Sequence, residues 1–179
     1  TPLLDIEQMH RSLYPVRRLR DEYGLTVETA MQGDVNGVSW LFANLLPAIG
    51  IDFLTMAVNT FRGGAPRPRP SAFWWEGPAG GRLLVWNGYH YLFGRSMADP
   101  TYPFDFMYGQ STHPVRVDNG PPDARLPDFV RDWNAAGRMP RIVITTVSAF
   151  GRRLRDEYGD SLPTLRGDWL DWWSDGVAS

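Results

Sequence analysis

The sequence "LTVETAMQGDVNGVSWLFANLLPAIGIDFLTMAV", residues 25–58, decides the fold class. It opens with a short β-branched segment, 25–31, which predicts a strand. The next segment, 36–50, has the apolar pattern of a helix that ends at Gly50, and the apolar segment 51–58 predicts a second strand buried on both faces. Strand, helix and strand joined by short connections are typical of parallel βα units.

Further helices and a strand are predicted outside this unit. A helix at 5–23 contains Pro15, a residue that kinks or breaks helices, and Gly24 supplies a stop. The alternation of helix and strand resumes late in the chain. It comprises a helix at 126–137, a strand at 140–147 and a helix at 148–159 that Ser148 caps.

Two apolar segments, 71–77 and 82–88, flank a Gly-rich turn and predict an antiparallel hairpin. We expect this hairpin, over about 71–93, to be inserted into the α/β framework. With the βα pattern, it predicts a single α/β domain over residues 1–179.

The octapeptide "RRLRDEYG" occurs twice, at 17–24 and at 152–159. The sequences around the two copies do not match, so we do not expect a duplicated domain. Both copies predict the same local feature, which is a charged, exposed helix end followed by an aromatic residue and a glycine cap.

Composition excludes several classes of protein. The net charge of −2 gives no electrostatic basis for binding nucleic acid. No apolar stretch reaches the ~18 residues that a membrane span needs. The absence of cysteine excludes disulfides and thiol chemistry. The composition is that of a soluble globular protein, and its compartment stays open between cytoplasmic and exported.

Tryptophan is the unusual residue of this chain, with eight copies, six of which lie at 74–75, 86 and 169–173. An indole offers flat apolar faces and one N–H donor, which suits the C–H faces and hydroxyl rims of sugars. The alternative is that these large residues fill the core.

Polar residues follow the predicted strands at their carboxyl ends, where parallel α/β proteins bind ligands. Asp34 comes after the strand 25–31, and Asp118 closes a segment in a Pro- and Gly-rich loop region. Asp34 is alternatively the N-cap of the following helix, since aspartate is favoured there. Other polar residues predicted at this rim are Asn59, Thr60, Arg62, Thr145, Thr146 and Ser148.

Six segments, taken in order, resemble the catalytic domain of glycoside hydrolase family 38, the α-mannosidase class, and most resemble its divergent bacterial members. They are "AMQGDVNGVSW" (30–40), "GIDFLTMAVN" (50–59), "FWWEGPAGGRLLVWNGYHY" (73–91), "VDNGPPD" (117–123), "WN" (133–134) and "LPTLRGDWLDWWSDGVAS" (162–179). The resemblance covers nearly the whole chain.

The resemblance implies part of a (β/α)7-type barrel that hydrolyses α-mannosides with retention and with the help of a metal. It implies that Asp34 is the nucleophile and a zinc ligand, and Asp118 is the nearest match to the acid. A retaining glycosidase needs two carboxyl groups about 5–5.5 Å apart, and a bound cation would keep Asp34 ionised. The candidates that would face the substrate are Arg62, Trp74, Trp75, Tyr89 and His90.

The zinc motifs of the family are incomplete in this chain. Its His-x-Asp pair does not occur, and its later metal-binding histidine would lie beyond the sequence. The three histidines, His10, His90 and His113, lack the spacing of a zinc motif. We therefore expect an incomplete piece of a longer catalytic barrel, with the rest of its own chain and a carbohydrate as partners. The alternative is a catalytically inactive carbohydrate-binding or scaffold domain with a Trp-rich surface.

Overall fold

The computed structural model describes residues 4–35, 37–58, 71–88, 102–109 and 121–170, and for residues 34, 58 and 170 it describes the backbone. The helices are α1 (Ile6–Arg11), α2 (Tyr14–Tyr23), α3 (Phe42–Ala48), α4 (Leu126–Ala135) and α5 (Val147–Tyr158). The strands are β1 (Thr29–Val35), β2 (Gly37–Val38), β3 (Phe53–Val58), β4 (Ser71–Glu76), β5 (Arg82–Asn87), β6 (Thr164–Leu165) and β7 (Trp169–Leu170). Among the helices of these ranges, none combines the length and apolarity needed to cross a bilayer.

The centre of the fold is a five-stranded sheet in the order β1-β3-β5-β4-β6. Strands β1, β3 and β5 are parallel, whereas β4 is antiparallel to β5 and parallel to β6. The predicted α/β class, with parallel strands and an antiparallel hairpin, is confirmed. Over the described ranges the sheet is open, with β1 and β6 at its edges, and closure into a barrel stays a prediction.

The hairpin of β4 and β5 is built into this sheet. Its turn is closed by Gly77 N, which donates to Gly81 O at 2.8 Å, and Asn44 Oδ1 accepts from Gly81 N at 3.0 Å. Strand β5 pairs on its other side with β3, where Phe53 lies opposite Leu84. The second strand of the hairpin is therefore also the third parallel strand of the sheet.

Both faces of the sheet are buried, because side chains alternate between the faces along each strand. One face packs against α3 and the other packs against α5 and residues 102–109. This double burial explains why β3 and β5 are almost continuously apolar in sequence. The first face includes Leu54, Phe73, Trp75, Leu83 and Val85, and the second includes Phe53, Ala72, Leu84 and Trp86.

Several predicted boundaries shift because of long-range pairing. The break near Pro15 is confirmed, since α1 and α2 replace one continuous helix. The first strand occupies Thr29–Val35 rather than 25–31, so Asp34 lies within the strand. The predicted helix 36–50 is too long. Its first residues, Gly37–Val38, instead form β2, which pairs with the distant Trp169–Leu170.

The predicted strand at 140–147 is wrong, because residues 140–146 are irregular. The side-chain amide of Asn134 takes both backbone hydrogen bonds of Ile142 in this segment. Its Nδ2 donates to Ile142 O at 2.8 Å, and its Oδ1 accepts from Ile142 N at 3.0 Å. The predicted cap is also wrong. Thr146, not Ser148, caps α5, and its side chain accepts from Ala149 N at 3.2 Å.

The two copies of "RRLRDEYG" form the ends of α2 and α5. The charged helix end is confirmed for both copies. The glycine cap is also confirmed for both copies, since Gly24 and Gly159 hold the C-cap positions of α2 and α5. Their backbones differ: Gly24 is left-handed with a φ of 63°, whereas Gly159 has a helical φ of −50° and leads into a 3-10 turn.

Candidate functional site

The carboxyl ends of β1, β3 and β5 meet at one edge of the sheet, which we call the carboxyl rim. Gly33 lies opposite Ala57, and Met56 lies opposite Asn87. The pairing continues one residue past β5, where Gly88 N donates to Met56 O at 2.8 Å. In open α/β sheets this is the edge at which ligands bind.

Asp34 lies at an irregularity of the pairing between β1 and β3. Gly33 pairs with Ala57 and Val35 with Val58, so the register shifts by one residue at Asp34, as in a β-bulge. Bulges are common beside active sites, where they re-aim a side chain. The alternative that Asp34 caps the next helix is wrong, because α3 begins at Phe42 and Leu41 holds its N-cap position.

Several predicted site residues fall outside the described ranges, so their roles stay predictions. They are the candidate acid Asp118, the substrate-facing candidates Arg62, Tyr89 and His90, and also Asn59, Thr60 and His113.

The structure does not bring Trp74 and Trp75 to the carboxyl rim. They pair with Leu84 and Leu83, near the start of β5, whereas the rim lies at its end. Trp75 is 1% exposed, and its indole N–H donates to Gly167 O at 2.9 Å. Trp74 is half-buried, and the guanidinium of Arg82 covers its ring at 4.2 Å. Packing therefore occupies the ring faces that a sugar would need.

The predicted polar residues of the last helix also lie away from this rim. Thr146 caps α5, and Ser148 Oγ is 2.8 Å from the hydroxyl of Thr29, at the amino end of β1. His10 is exposed on α1, where its Nδ1 lies 2.7 Å from Ile6 O. The sequence predicts Thr146 and Ser148 at the same rim as Asp34, but the structure places them at the start of α5, beside the opposite end of β1.

A small hollow opens at the carboxyl rim on the face of the sheet that α5 covers. Its floor is a row of three side chains paired across the parallel strands, Met31, Thr55 and Trp86. The next row is small, because Gly33, Ala57 and Gly88 follow two residues later on each strand. The cavity has a volume of about 10 Å³, which is roughly the room that one water molecule needs.

Two polar atoms in the floor of the hollow are buried and unpaired within the described part of the chain. Thr55 is 4% exposed and Trp86 is 2% exposed. Neither Thr55 Oγ1 nor Trp86 Nε1 has a hydrogen-bond partner there. Sequence reasoning missed both residues. The features of the sequence that could have indicated them are a threonine inside an apolar strand and glycines near the ends of β1 and β5.

The hollow lies beside the aromatic cluster on this face of the sheet. Tyr108 lines it and stacks on Phe150, with ring centroids 4.5 Å apart and planes at 16°. Burial raises the pKa of Tyr108. Burial, followed by Tyr158 and Asp105, raises the pKa of Tyr102 to about 12, and the Tyr102 hydroxyl donates to Phe106 O at 2.6 Å. Both phenols therefore stay neutral around pH 7.

The described residues do not by themselves fit a zinc site. Within those ranges, no three His, Cys, Asp or Glu side chains lie close enough together to share a metal ion. Zinc needs about four ligands in a structural site and at least three from the protein in a catalytic one. We therefore derive no catalytic step from a metal.

Comparison with known proteins gives one family. The family model described as "Glycosyl hydrolases family 38 N-terminal domain" matches residues 4–172, which is nearly the whole chain. A search of curated proteins found no significant match.

Proposed function

The chain belongs to glycosyl hydrolase family 38, and from that premise we propose that it is a retaining glycosidase of the α-mannosidase type. Membership of the family makes a carbohydrate the substrate. The observation that carries the proposal is the position of Asp34, at a bulge in the carboxyl rim where parallel α/β proteins act on their ligands.

In the proposed reaction, the carboxylate of Asp34 attacks the anomeric carbon of the mannoside and forms a covalent ester. A second carboxylic acid, for which we propose Asp118, gives its proton to the departing glycosidic oxygen. Asp118, now a carboxylate, then takes a proton from a water molecule that hydrolyses the ester. Two displacements at the same carbon retain its configuration.

The resemblance also assigns a zinc ion to the Asp34 carboxylate, and we keep it in the proposal as a ligand assignment. A bound cation would hold Asp34 ionised, as a nucleophile requires. Metal analysis of the purified protein tests this assignment independently of turnover. If Asp34 is a zinc ligand, the zinc content of the purified protein should be lower in an Asp34→Asn variant than in the wild type.

The nucleophile is tested with an aryl α-mannoside. Asp34→Asn should abolish turnover while sugar binding remains measurable, because the amide keeps the shape of the side chain but is a poor nucleophile. The matched control is Asp21→Asn, the same change at an exposed carboxylate on α2, which should keep wild-type activity.

An added anion sharpens this test. In Asp34→Ala, azide should enter the space left by the carboxylate and restore turnover of an activated aryl α-mannoside. The product should be a mannosyl azide of inverted configuration, since only one displacement then occurs. Equal activity of Asp34→Asn and wild type would remove Asp34 from the mechanism.

The described tryptophans do not favour the alternative of a sugar-stacking surface. Trp75, Trp86 and Trp169 are at most 4% exposed. The half-buried Trp40, Trp74 and Trp133 each donate their indole N–H to a backbone carbonyl. Within the described ranges these indoles contribute to packing, which is the second interpretation that the sequence left open.

A further inference from the structure

The hollow at the carboxyl rim is lined by two residues whose polar atoms have no hydrogen-bond partner in the described part of the chain. The register places Thr55 on β3 directly beside Trp86 on β5, with both side chains on the same face. Both residues are more than nine-tenths buried, and neither polar atom meets a partner among the residues described. Buried polar groups in native proteins almost always have a hydrogen-bond partner.

Trp86 differs in this respect from other tryptophans of the chain. The indole N–H groups of Trp40, Trp74, Trp75 and Trp133 donate to backbone carbonyls at 2.7–2.9 Å. At those positions the fold itself provides the acceptor. At Trp86 the described residues supply no acceptor, and the N–H lines a cavity instead, so we look for the acceptor in what the cavity holds.

The shape of the hollow limits what it can hold. A Cβ atom at Gly88 would lie 2.5 Å from Trp86 Nε1, so only glycine there leaves the N–H accessible. Gly33 and Ala57 also bring little side-chain volume to the lining. A volume of about 10 Å³ admits one oxygen-sized group and excludes a sugar ring.

We propose that the hollow binds one hydroxyl-type oxygen, which accepts a hydrogen bond from Trp86 Nε1 and forms a second hydrogen bond with Thr55 Oγ1. An indole N–H can only donate, whereas a threonine hydroxyl can donate or accept. The guest must therefore carry a lone pair for the indole N–H, and it can meet the threonine hydroxyl with either a second lone pair or a proton. A water molecule and a hydroxyl of the substrate sugar have this chemistry, and the second source rests on the proposed function.

The test is the sign of a stability change. Thr55→Val keeps the shape of the side chain and removes its oxygen. If the hollow holds an oxygen, the variant loses a hydrogen bond, and its Tm should fall by about 2–4 °C. If the hollow is dry, the variant removes an unsatisfied buried hydroxyl and its Tm should rise, which would overturn the proposal.

The matched control is Thr29→Val, on the same face of the neighbouring strand. The hydroxyl of Thr29 has a visible partner, Ser148 Oγ at 2.8 Å, so its loss calibrates the cost of breaking one such bond. The proposal expects Thr55→Val and Thr29→Val to shift the Tm in the same direction.

Methyl α-mannoside distinguishes the two sources of the oxygen. A sugar hydroxyl is assigned if the ligand raises the Tm of wild type and of Thr29→Val several-fold more than that of Thr55→Val. Water is assigned if the ligand raises all three equally or none of them. The sign test needs neither sugar nor turnover. A rise in the Tm of Thr55→Val would therefore overturn the bound oxygen without bearing on the proposed function. A protein that does not hydrolyse mannosides would overturn the proposed function without bearing on the bound oxygen.

Discussion

The ends of α2 and α5 share the octapeptide "RRLRDEYG" yet are used differently by the fold. In the first copy, Leu19 is 38% exposed, whereas the equivalent Leu154 in the second copy is completely buried. The final glycines also differ, since Gly24 is left-handed and Gly159 is helical. The local sequence therefore determines that a helix forms, while the surrounding sheet determines which side chains it buries.

The charged residues show the same division. The pair four residues apart, Arg18–Glu22 at 2.8 Å, recurs as Arg153–Glu157 at 2.9 Å. The preceding arginine does not repeat its contact. Arg17 pairs with Asp21 along its own helix, whereas the equivalent Arg152 turns to Glu28, just before β1. Pairs within one helix follow from spacing, and pairs between elements follow from the fold.

The largest expected difference between the copies comes from leucine. Leu154→Ala removes a side chain from the core beside Phe53 and Leu84 and should cost about 2–5 kcal/mol of unfolding free energy. Leu19→Ala should cost about 0.5 kcal/mol, as expected for a substitution at the surface. Urea unfolding of both variants measures the difference. Equal costs would show that α5 is not packed against the sheet.

For the arginine at the fourth position of the octapeptide, Arg20 or Arg155, we expect the larger loss of stability in the first copy. Arg20 donates to the carbonyls of Ile49 and Val27, which lie after α3 and before β1. Arg155 forms one ion pair, with Asp52 at 2.9 Å, and its buried Nε is unpaired among the described residues.

Arg20→Met should therefore cost about 1–3 kcal/mol, because two partly buried carbonyls lose a charged donor. Arg155→Met should cost about 0–1 kcal/mol, since a partly exposed pair contributes little. Thermal unfolding at low and high salt is the measurement. Only the Arg155 effect should shrink as salt rises, and a larger loss at Arg155 than at Arg20 would contradict this assignment.

The glycines should give changes of opposite sign. At Gly24, φ is +63°, so Gly24→Ala imposes a left-handed alanine at a cost of about 1–2 kcal/mol. At Gly159 a Cβ would lie 3.6 Å from Arg155 Cγ and 3.8 Å from Trp74 Cζ2, which are ordinary contacts. Gly159→Ala should stabilise by about 0.4–1 kcal/mol by restricting the unfolded chain. Calorimetry compares the two Tm values, and shifts in the same direction would contradict the backbone assignment.

Sequence reasoning succeeds where one short segment contains the whole signal. The apolar run of β3, the turn of the β4–β5 hairpin and the helix stop at Gly24 are all local, and all are confirmed. It fails where a distant partner decides. Gly37–Val38 becomes a strand because Trp169–Leu170 pairs with it, more than 130 residues away.

In the candidate site too, the features that depend on local sequence were predictable, and those that depend on distant strands were not. The position of Asp34 near the end of a parallel strand follows from the βα pattern. Whether Trp74 and Trp75 lie near the carboxyl rim or at the opposite edge depends on the direction of the hairpin strands. That direction is fixed by the parallel pairing of β5 with β3. The hollow is harder still to predict, since Gly33, Thr55 and Trp86 become neighbours only through the register of three strands.

The reversed direction of β4 has a practical consequence for handling the molecule. The turn between β4 and β5 lies at the edge opposite Asp34, and the six residues of β5 separate the two edges by about 20 Å. Ala79, at the tip of this turn, is exposed, and the chain contains no cysteine. Ala79→Cys would thus introduce a unique thiol for a fluorophore or a surface tether. Molecules immobilised through it would all present the carboxyl rim to solution, so single-molecule measurements of sugar exchange would start from one orientation.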